Sequence, residues 1–137
     1  MQEPSQTHSS CPRVLVVEDT REVRELLVEI LEAEGYHVDS AINGKDALNQ
    51  LRRAPYDVVL LDLMMPVMDG LALLDELKHE TGAGQTPVIA MSAFERFRGE
   101  ATGLGARAFI GKPIEIDHLL EAIEREAATA TDHRVLS

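Results

Sequence analysis

The run Val58-Val59-Leu60-Leu61-Asp62 limits the possible folds more than any other part of the chain. A short run that is apolar at every position, with branched side chains, must be covered on both faces, as strands of helix-flanked parallel sheets are. It ends in a carboxylate, and Pro66 and Asp69-Gly70 follow closely as turn chemistry. In open α/β sheets the C-terminal strand edge is where ligand chemistry collects. Taken alone, Asp62 is explained as well by the first polar residue of a loop or by a helix cap. The other strand ends decide between these accounts.

The rest of the chain supplies those ends. Residues 1–12 read as a flexible leader, and Val14-Leu15-Val16-Val17 is a second buried strand that stops at Glu18-Asp19-Thr20. Residues 21–34 place Val23, Leu26, Leu27, Ile30 and Leu31 on one helical face, with Thr20 as N-cap and Gly35 beyond the C-terminus. Residues 36–41 alternate weakly and predict an edge strand. Asn43 caps a helix to Arg53 with Ala47, Leu48 and Leu51 inward, and Pro55 closes it. After the central strand, residues 70–80 predict a helix burying Leu71, Leu74 and Leu77, and 81–86 a loop. Residues 87–91 form a fourth strand ending at Ser92-Ala93, followed by a short, poorly apolar helix over 95–104 that contains Gly99. Residues 106–110 form a fifth strand ending at Gly111-Lys112-Pro113. A last helix over 116–127 buries Ile116, Leu119, Leu120 and Ile123, and 128–137 read as a polar tail.

Strand and helix thus alternate five times. The expected fold is α/β: one domain over 13–127, a doubly wound five-stranded parallel sheet of order 2-1-3-4-5 with helices on both faces.

In such a sheet the strand ends share one edge, which here carries Glu18-Asp19, Asp62, Ser92 and Lys112. Each has an ordinary explanation by itself, as solvated acid, cap or surface lysine; all of them being incidental together is improbable. Three carboxylates at one point repel each other and call for a cation. Oxygen donors without His or Cys suit Mg²⁺. A cation, a lysine and a hydroxyl around a central carboxylate is a layout for phosphoryl transfer, where charge neutralisation and positioning dominate. Asp62 would then be the nucleophile, forming an aspartyl phosphate.

Composition removes several other classes. The net charge of −11 argues against direct nucleic-acid contact and against an anionic membrane surface. No apolar run approaches a membrane span, and no signal-peptide pattern opens the chain. The single cysteine, Cys11, allows no intrachain disulfide, in keeping with a reducing cytoplasm. The five histidines show no metal-ligand spacing.

Together, Glu18-Asp19, Asp62-Leu63-Met64-Met65-Pro66-x-Met68-Asp69-Gly70, Ser92-Ala93 and Phe109-x-x-Lys112-Pro113 resemble the receiver domain of two-component response regulators, over about 13–126. The resemblance implies a phosphorelay switch in which Asp62 takes a phosphoryl group from a histidine kinase or histidine phosphotransfer protein. It implies Mg²⁺, with Mn²⁺ as substitute, bound by Asp19, Asp62 and the Met64 backbone carbonyl, with Glu18 acting through water. Ser92 and Lys112 would contact the phosphoryl group, and the Lys112–Pro113 bond would be cis. Ser92 and Phe109 would relay the change to the surface of the fourth helix, fifth strand and fifth helix, the output and homodimer face; the first helix would dock the kinase.

Two departures stand out. The segment from Ser92 to Lys112 is about two residues short, so the fourth helix should be short or mobile. Met64 and Phe94, which with Ala93 flank the phosphoryl position, are both apolar and should slow the attacking water. Ending as the sequence does, the chain reads as a stand-alone receiver or a fragment of a hybrid kinase or larger regulator, with self-phosphorylation and slow self-dephosphorylation as its only catalysis.

Three rivals remain. An aspartate-nucleophile phosphohydrolase would want an acid two residues after Asp62, where Met64 stands. A flavodoxin-like flavin binder would want hydroxyls after the first strand, where Glu18-Asp19 would repel phosphate. A receiver used only as a scaffold would not need the intact acid set. Gly103-Leu104-Gly105-Ala106-Arg107-Ala108 spells a dinucleotide fingerprint but precedes a strand, so it offers no helix N-terminus to a pyrophosphate.

Overall fold

The computed structural model describes residues 11–65, 67–80 and 85–136, with side chains described as far as Ala128. Among these residues, strands and helices alternate as β1 Arg13–Val17, α1 Arg21–Ala33, β2 His37–Ala41, α2 Gly44–Arg53, β3 Val58–Asp62, α3 Gly70–Leu77, β4 Val88–Ser92, α4 Phe97–Gly103, β5 Ala108–Gly111 and α5 Ile116–Leu136. The strands pair in parallel in the order β2-β1-β3-β4-β5, so the weakly alternating β2 is an edge strand. Every residue of β3 and β4 is buried.

Alternation along the strands builds two cores. Leu15, Val17, Val59 and Leu61 face one side, against Leu48 and Leu51 of α2, Leu73, Leu74 and Leu77 of α3, and Ala101 of α4. Val14, Val16, Val58 and Leu60 face the other, against Leu27 and Leu31 of α1 and Leu119 and Ile123 of α5. A central strand cannot be moved without disturbing both.

Local signals set most helix ends. Asn43 Oδ1 accepts from the Asp46 amide at 2.8 Å and Asp69 Oδ1 from the Ala72 amide at 2.9 Å, side-chain caps that each contribute about 1 kcal/mol. Thr20 precedes α1 with no such bond, while Gly35, at φ 96°, closes that helix in the left-handed region.

Four expectations are corrected. Leu26 is 55% exposed, because the buried stripe of α1 runs through Leu27 and Leu31. In α3, Leu73 is fully buried and Leu71 only partly, since the Asp69 cap fixes the helix phase. That helix ends at Leu77 instead of running to residue 80. The last helix runs on to Leu136, through the segment expected as a tail. No Gly or Pro interrupts 116–136, and Ala127, Ala128 and Ala130 are strong helix formers. The proposed leader falls almost wholly outside the described residues, as do loop residues 81–84.

At the N-terminal edge of the sheet, Tyr56 Oη donates to Asp39 Oδ2 at 2.6 Å, and Arg13 lies over the Tyr56 ring at 4.9 Å while pairing with the same carboxylate at 3.2 Å. Burial and the Asp39 hydrogen bond push the Tyr56 hydroxyl up to about 12. This network closes the edge opposite the strand ends that carry the acids.

Candidate functional site

Register brings the strand ends together. Val17 pairs with Leu61, Asp62 with Met91, and Ser92 with Gly111, so the residues just beyond β1, β3, β4 and β5 converge on one edge. There, carboxylate oxygens of Glu18, Asp19 and Asp62 lie within 4.8 Å of one another. Lys112 Nζ is 3.2 Å from Asp62 Oδ1 and 3.5 Å from Glu18 Oε1. Asp62 and Ser92 are buried, Lys112 half-buried and Asp19 exposed. The four strand ends that the sequence singles out are therefore one site.

The two members of the acid pair differ. Glu18 is only 1% exposed; its Oε2 accepts from the Thr20 amide at 3.2 Å. Its Oε1 has no hydrogen-bond partner, the Lys112 amine being within ion-pair reach without hydrogen-bonding to it. Burial first, and then the nearby Asp62 charge, push the Glu18 carboxyl above its ordinary range. An orphaned buried oxygen beside two further carboxylates fits a hard divalent cation, whose bonds would satisfy the lone pairs and offset the repulsion.

Asp62 Oδ1 also accepts from the Met64 amide at 3.3 Å. Ser92 Oγ accepts from the Phe94 amide at 3.0 Å, and the Ser92 carbonyl accepts from the Lys112 amide at 2.9 Å, tying β4 to the lysine's backbone. The Lys112–Pro113 bond is cis, as expected. Phe109 is buried in the α2–α3–α4 core, and the Arg98 guanidinium lies over its ring at 4.7 Å. Met64 and Phe94 are 51% and 42% exposed, with Ala93 also exposed, so the rim beside Asp62 is apolar and open.

The β3–α3 loop is shaped by contacts its motif does not advertise. The Met68 carbonyl accepts from the Gly44 amide at 3.1 Å, and a Cβ at position 44 would meet that oxygen at 2.3 Å. At Gly70 a Cβ would come within 2.7 Å of the Asp62 carbonyl oxygen and the Leu63 Cα. Val67 and Met68 both take left-handed φ, 51° and 57°, costly for a β-branched residue. The sequence motifs also omit Arg24, whose Nη1 donates to the carbonyls of Glu18 and Asp19; its only signal is its place one turn into α1. The glycine-rich spelling at 103–108 forms the turn from α4 into β5, with Gly105 at φ 112° and no helix following it directly.

A buried acid held by a lysine at the C-terminal edge of a doubly wound sheet is a layout suited to phosphoryl chemistry. Comparison with known proteins gives the family. The chain matches the response regulator receiver domain over residues 14–124. It is 40% identical over 113 residues to the transcriptional regulatory protein DltR of Streptococcus agalactiae, covering 81% of this chain and 50% of that protein. Its fold superposes on the receiver domain of the Francisella response regulator 1452 with a TM-score of 0.81, 31% identity, and coverage of 86% of this chain and 98% of that one. The Thermotoga maritima response regulator TrrA, solved in complex with Mg²⁺ and beryllium fluoride, gives a TM-score of 0.76 at 33% identity, with 84% and 98% covered.

The chain belongs to the receiver domain family of two-component response regulators. It spans about half the length of the curated relatives it matches. Among the described residues no helix is long and apolar enough to cross a membrane.

Proposed function

We propose that Asp62 accepts a phosphoryl group from a phosphohistidine donor, a histidine kinase or phosphotransfer protein, and that this switches a protein-interaction surface. The observation that carries the reading is the Lys112 amine 3.2 Å from Asp62 Oδ1, beside two further carboxylates within 4.8 Å. Glu18, Asp19, Asp62 and the Met64 backbone carbonyl would hold Mg²⁺, with Mn²⁺, another hard octahedral ion, as its substitute. When bound, that ion neutralises charge on the transferred group and on the acid cluster. Asp62 supplies the nucleophilic oxygen, and the donor imidazole leaves as the aspartyl phosphate forms.

Lys112 neutralises a second phosphoryl oxygen, and Ser92 donates its hydroxyl to a third. Ser92 Oγ accepts from the Phe94 amide and keeps its own O–H to donate, so drawing that hydroxyl onto the phosphoryl group pulls the β4–α4 loop inward with it. Phe109, packed in the core beside α4, carries the change to the α4–β5–α5 face, where a downstream protein or a second copy docks. α1, beside Asp19, is the kinase-docking surface. The domain catalyses only its own phosphorylation and slow dephosphorylation, works in the cytoplasm, and makes no direct nucleic-acid contact.

Intact-mass measurement after incubation with acetyl phosphate tests the reading. A single adduct of one phosphoryl group, dependent on Mg²⁺, labile in base and absent from Asp62→Asn, is expected. An adduct that persists in Asp62→Asn removes Asp62 as acceptor. No adduct on a wild type that binds Mg²⁺ shifts the reading to a receiver strictly dependent on its kinase, or to a scaffold.

A further inference from the structure

Arg24 holds the loop that carries the acid pair by three consecutive carbonyls. Its backbone amide donates to Thr20 O at 2.9 Å, and its Nη1 donates to Glu18 O at 3.0 Å and Asp19 O at 3.3 Å. Glu22 and Glu25 share α1 with Arg24, and Glu22, Glu25, Glu29 and Glu32 line the same open groove. Yet among the described residues the guanidinium pairs with no carboxylate, whereas Arg21, three residues earlier, bonds Glu25 at 2.9 Å. Arg21 and Glu25 stand four apart on one face of α1, whereas no acid stands three or four residues from Arg24 in that helix. Arg24 instead holds backbone.

The loop has little else to fix it on that side. Thr20 makes no side-chain cap bond to α1, and Asp19 is exposed. From within, the Glu18 amide donates to Ala41 O at 3.1 Å and the Glu18 carboxylate accepts from the Thr20 amide. From outside, Arg24 bonds the carbonyls of the Glu18–Asp19 and Asp19–Thr20 peptides, the two planes from which the carboxylates leave the chain. Groups that orient metal ligands without touching the metal commonly govern affinity.

We propose that Arg24 is a positioning residue that aims the Glu18–Asp19 pair at the cation, and that it raises Mg²⁺ affinity despite its own positive charge. The proposal rests on the reading of that pair as cation ligands. Charge and geometry make opposite predictions. A bare positive charge near a cation site weakens binding, so its removal should tighten it. Loss of a clamp loosens the ligands and weakens binding. Lysine keeps the charge but offers a flexible point donor instead of a planar fork, so Arg24→Lys separates the two.

Mg²⁺ affinity is measured by calorimetric titration on wild type, Arg24→Ala and Arg24→Lys, with urea unfolding of each protein without added cation. Both variants are expected to bind Mg²⁺ about tenfold more weakly. An Arg24→Ala protein that binds equally or more tightly, or an Arg24→Lys protein that matches wild type, overturns the proposal. A fall in unfolding midpoint with affinity unchanged also overturns it, because the clamp then serves only the fold. If wild type does not bind Mg²⁺, the reading of the acid pair fails first and takes the proposal with it.

Discussion

The crossovers that leave β3 and β4 flank the same acid, yet they are built on opposite plans. The β3–α3 crossover is over-determined. Asp69 caps its helix, Gly44 and Gly70 admit backbone at distances no Cβ allows, and two left-handed residues are held between them. The β4–α4 crossover is sparse. Its helix has seven residues, its N-cap Arg96 makes no side-chain capping bond, and a Cβ at Gly99 or Gly103 would meet nothing within 4 Å. Ala101 is its one buried residue, with Phe97 and Leu104 packed partly against the core; at its surface Phe94 meets Phe97 edge to face at 6.1 Å, and Arg96 lies 4.8 Å and 5.0 Å from their rings. Asp62 leads into the tightly held side, and under the proposed function the response falls to the side with little to lose by moving.

Substitution of glycine breaks the comparison at its strongest point. Gly44→Ala should destabilise the fold by about 3 kcal/mol in urea unfolding, since the clash is with backbone that cannot yield without moving the loop over Asp62. An effect smaller than about 1 kcal/mol would mean that the rigid side is no more constrained than the other.

The next effect concerns the charge buried beside the β3–α3 crossover, at Glu18 just after β1. A Glu18 carboxyl raised above its ordinary value adds stability while protonated, at pH below that ordinary value, and loses it as pH rises through the raised one. At neutral pH the ionised group is therefore a liability in the cation-free protein. Glu18→Gln should stabilise that protein at pH 7 by about 1 kcal/mol, flatten its pH dependence near the Glu18 titration, and weaken Mg²⁺ binding. Lower stability in the variant would show that Lys112 more than compensates the buried charge.

On the sparse side, Phe94→Glu replaces a half-exposed apolar ring with a group able to order water. The aspartyl phosphate should hydrolyse several-fold faster, followed by loss of the mass adduct over time. An unchanged lifetime means that Phe94 does not control water access. Smallest of all, Gly99→Ala should stabilise the fold by about 0.5 to 1 kcal/mol, the reverse of Gly44→Ala, because the site is open and the residue helical.

The sequence makes the strands easy to read and the contacts of the loops between them hard. Val58–Leu61 and Val14–Val17 are apolar at every position, and that pattern has few solutions; the strand order and the convergence of Glu18, Asp19, Asp62, Ser92 and Lys112 follow from it. The burial of Leu73 over Leu71 is less legible, because both are leucine and only the cap sets the phase. The opposite fates of Glu18 and Asp19, adjacent acids with one inside and one outside, depend on how the chain leaves β1. Gly44 and Met68 are distant in sequence and meet only after folding, as do Arg98 and Phe109. The shortened α4 is foreseeable from Gly99 and the missing apolar stripe, but its stacked rings and guanidiniums are not.

The placement of the aromatic residues has an optical consequence. The chain has no tryptophan, and its two tyrosines, Tyr36 and Tyr56, precede β2 and β3 at the sheet edge remote from Asp62. Its native emission therefore arises at the opposite edge of the sheet from the acid cluster. An indole introduced by Phe94→Trp, against Arg96 and Phe97, would sit on the β4–α4 loop that the proposed switch moves and give the protein a reporter of its own state.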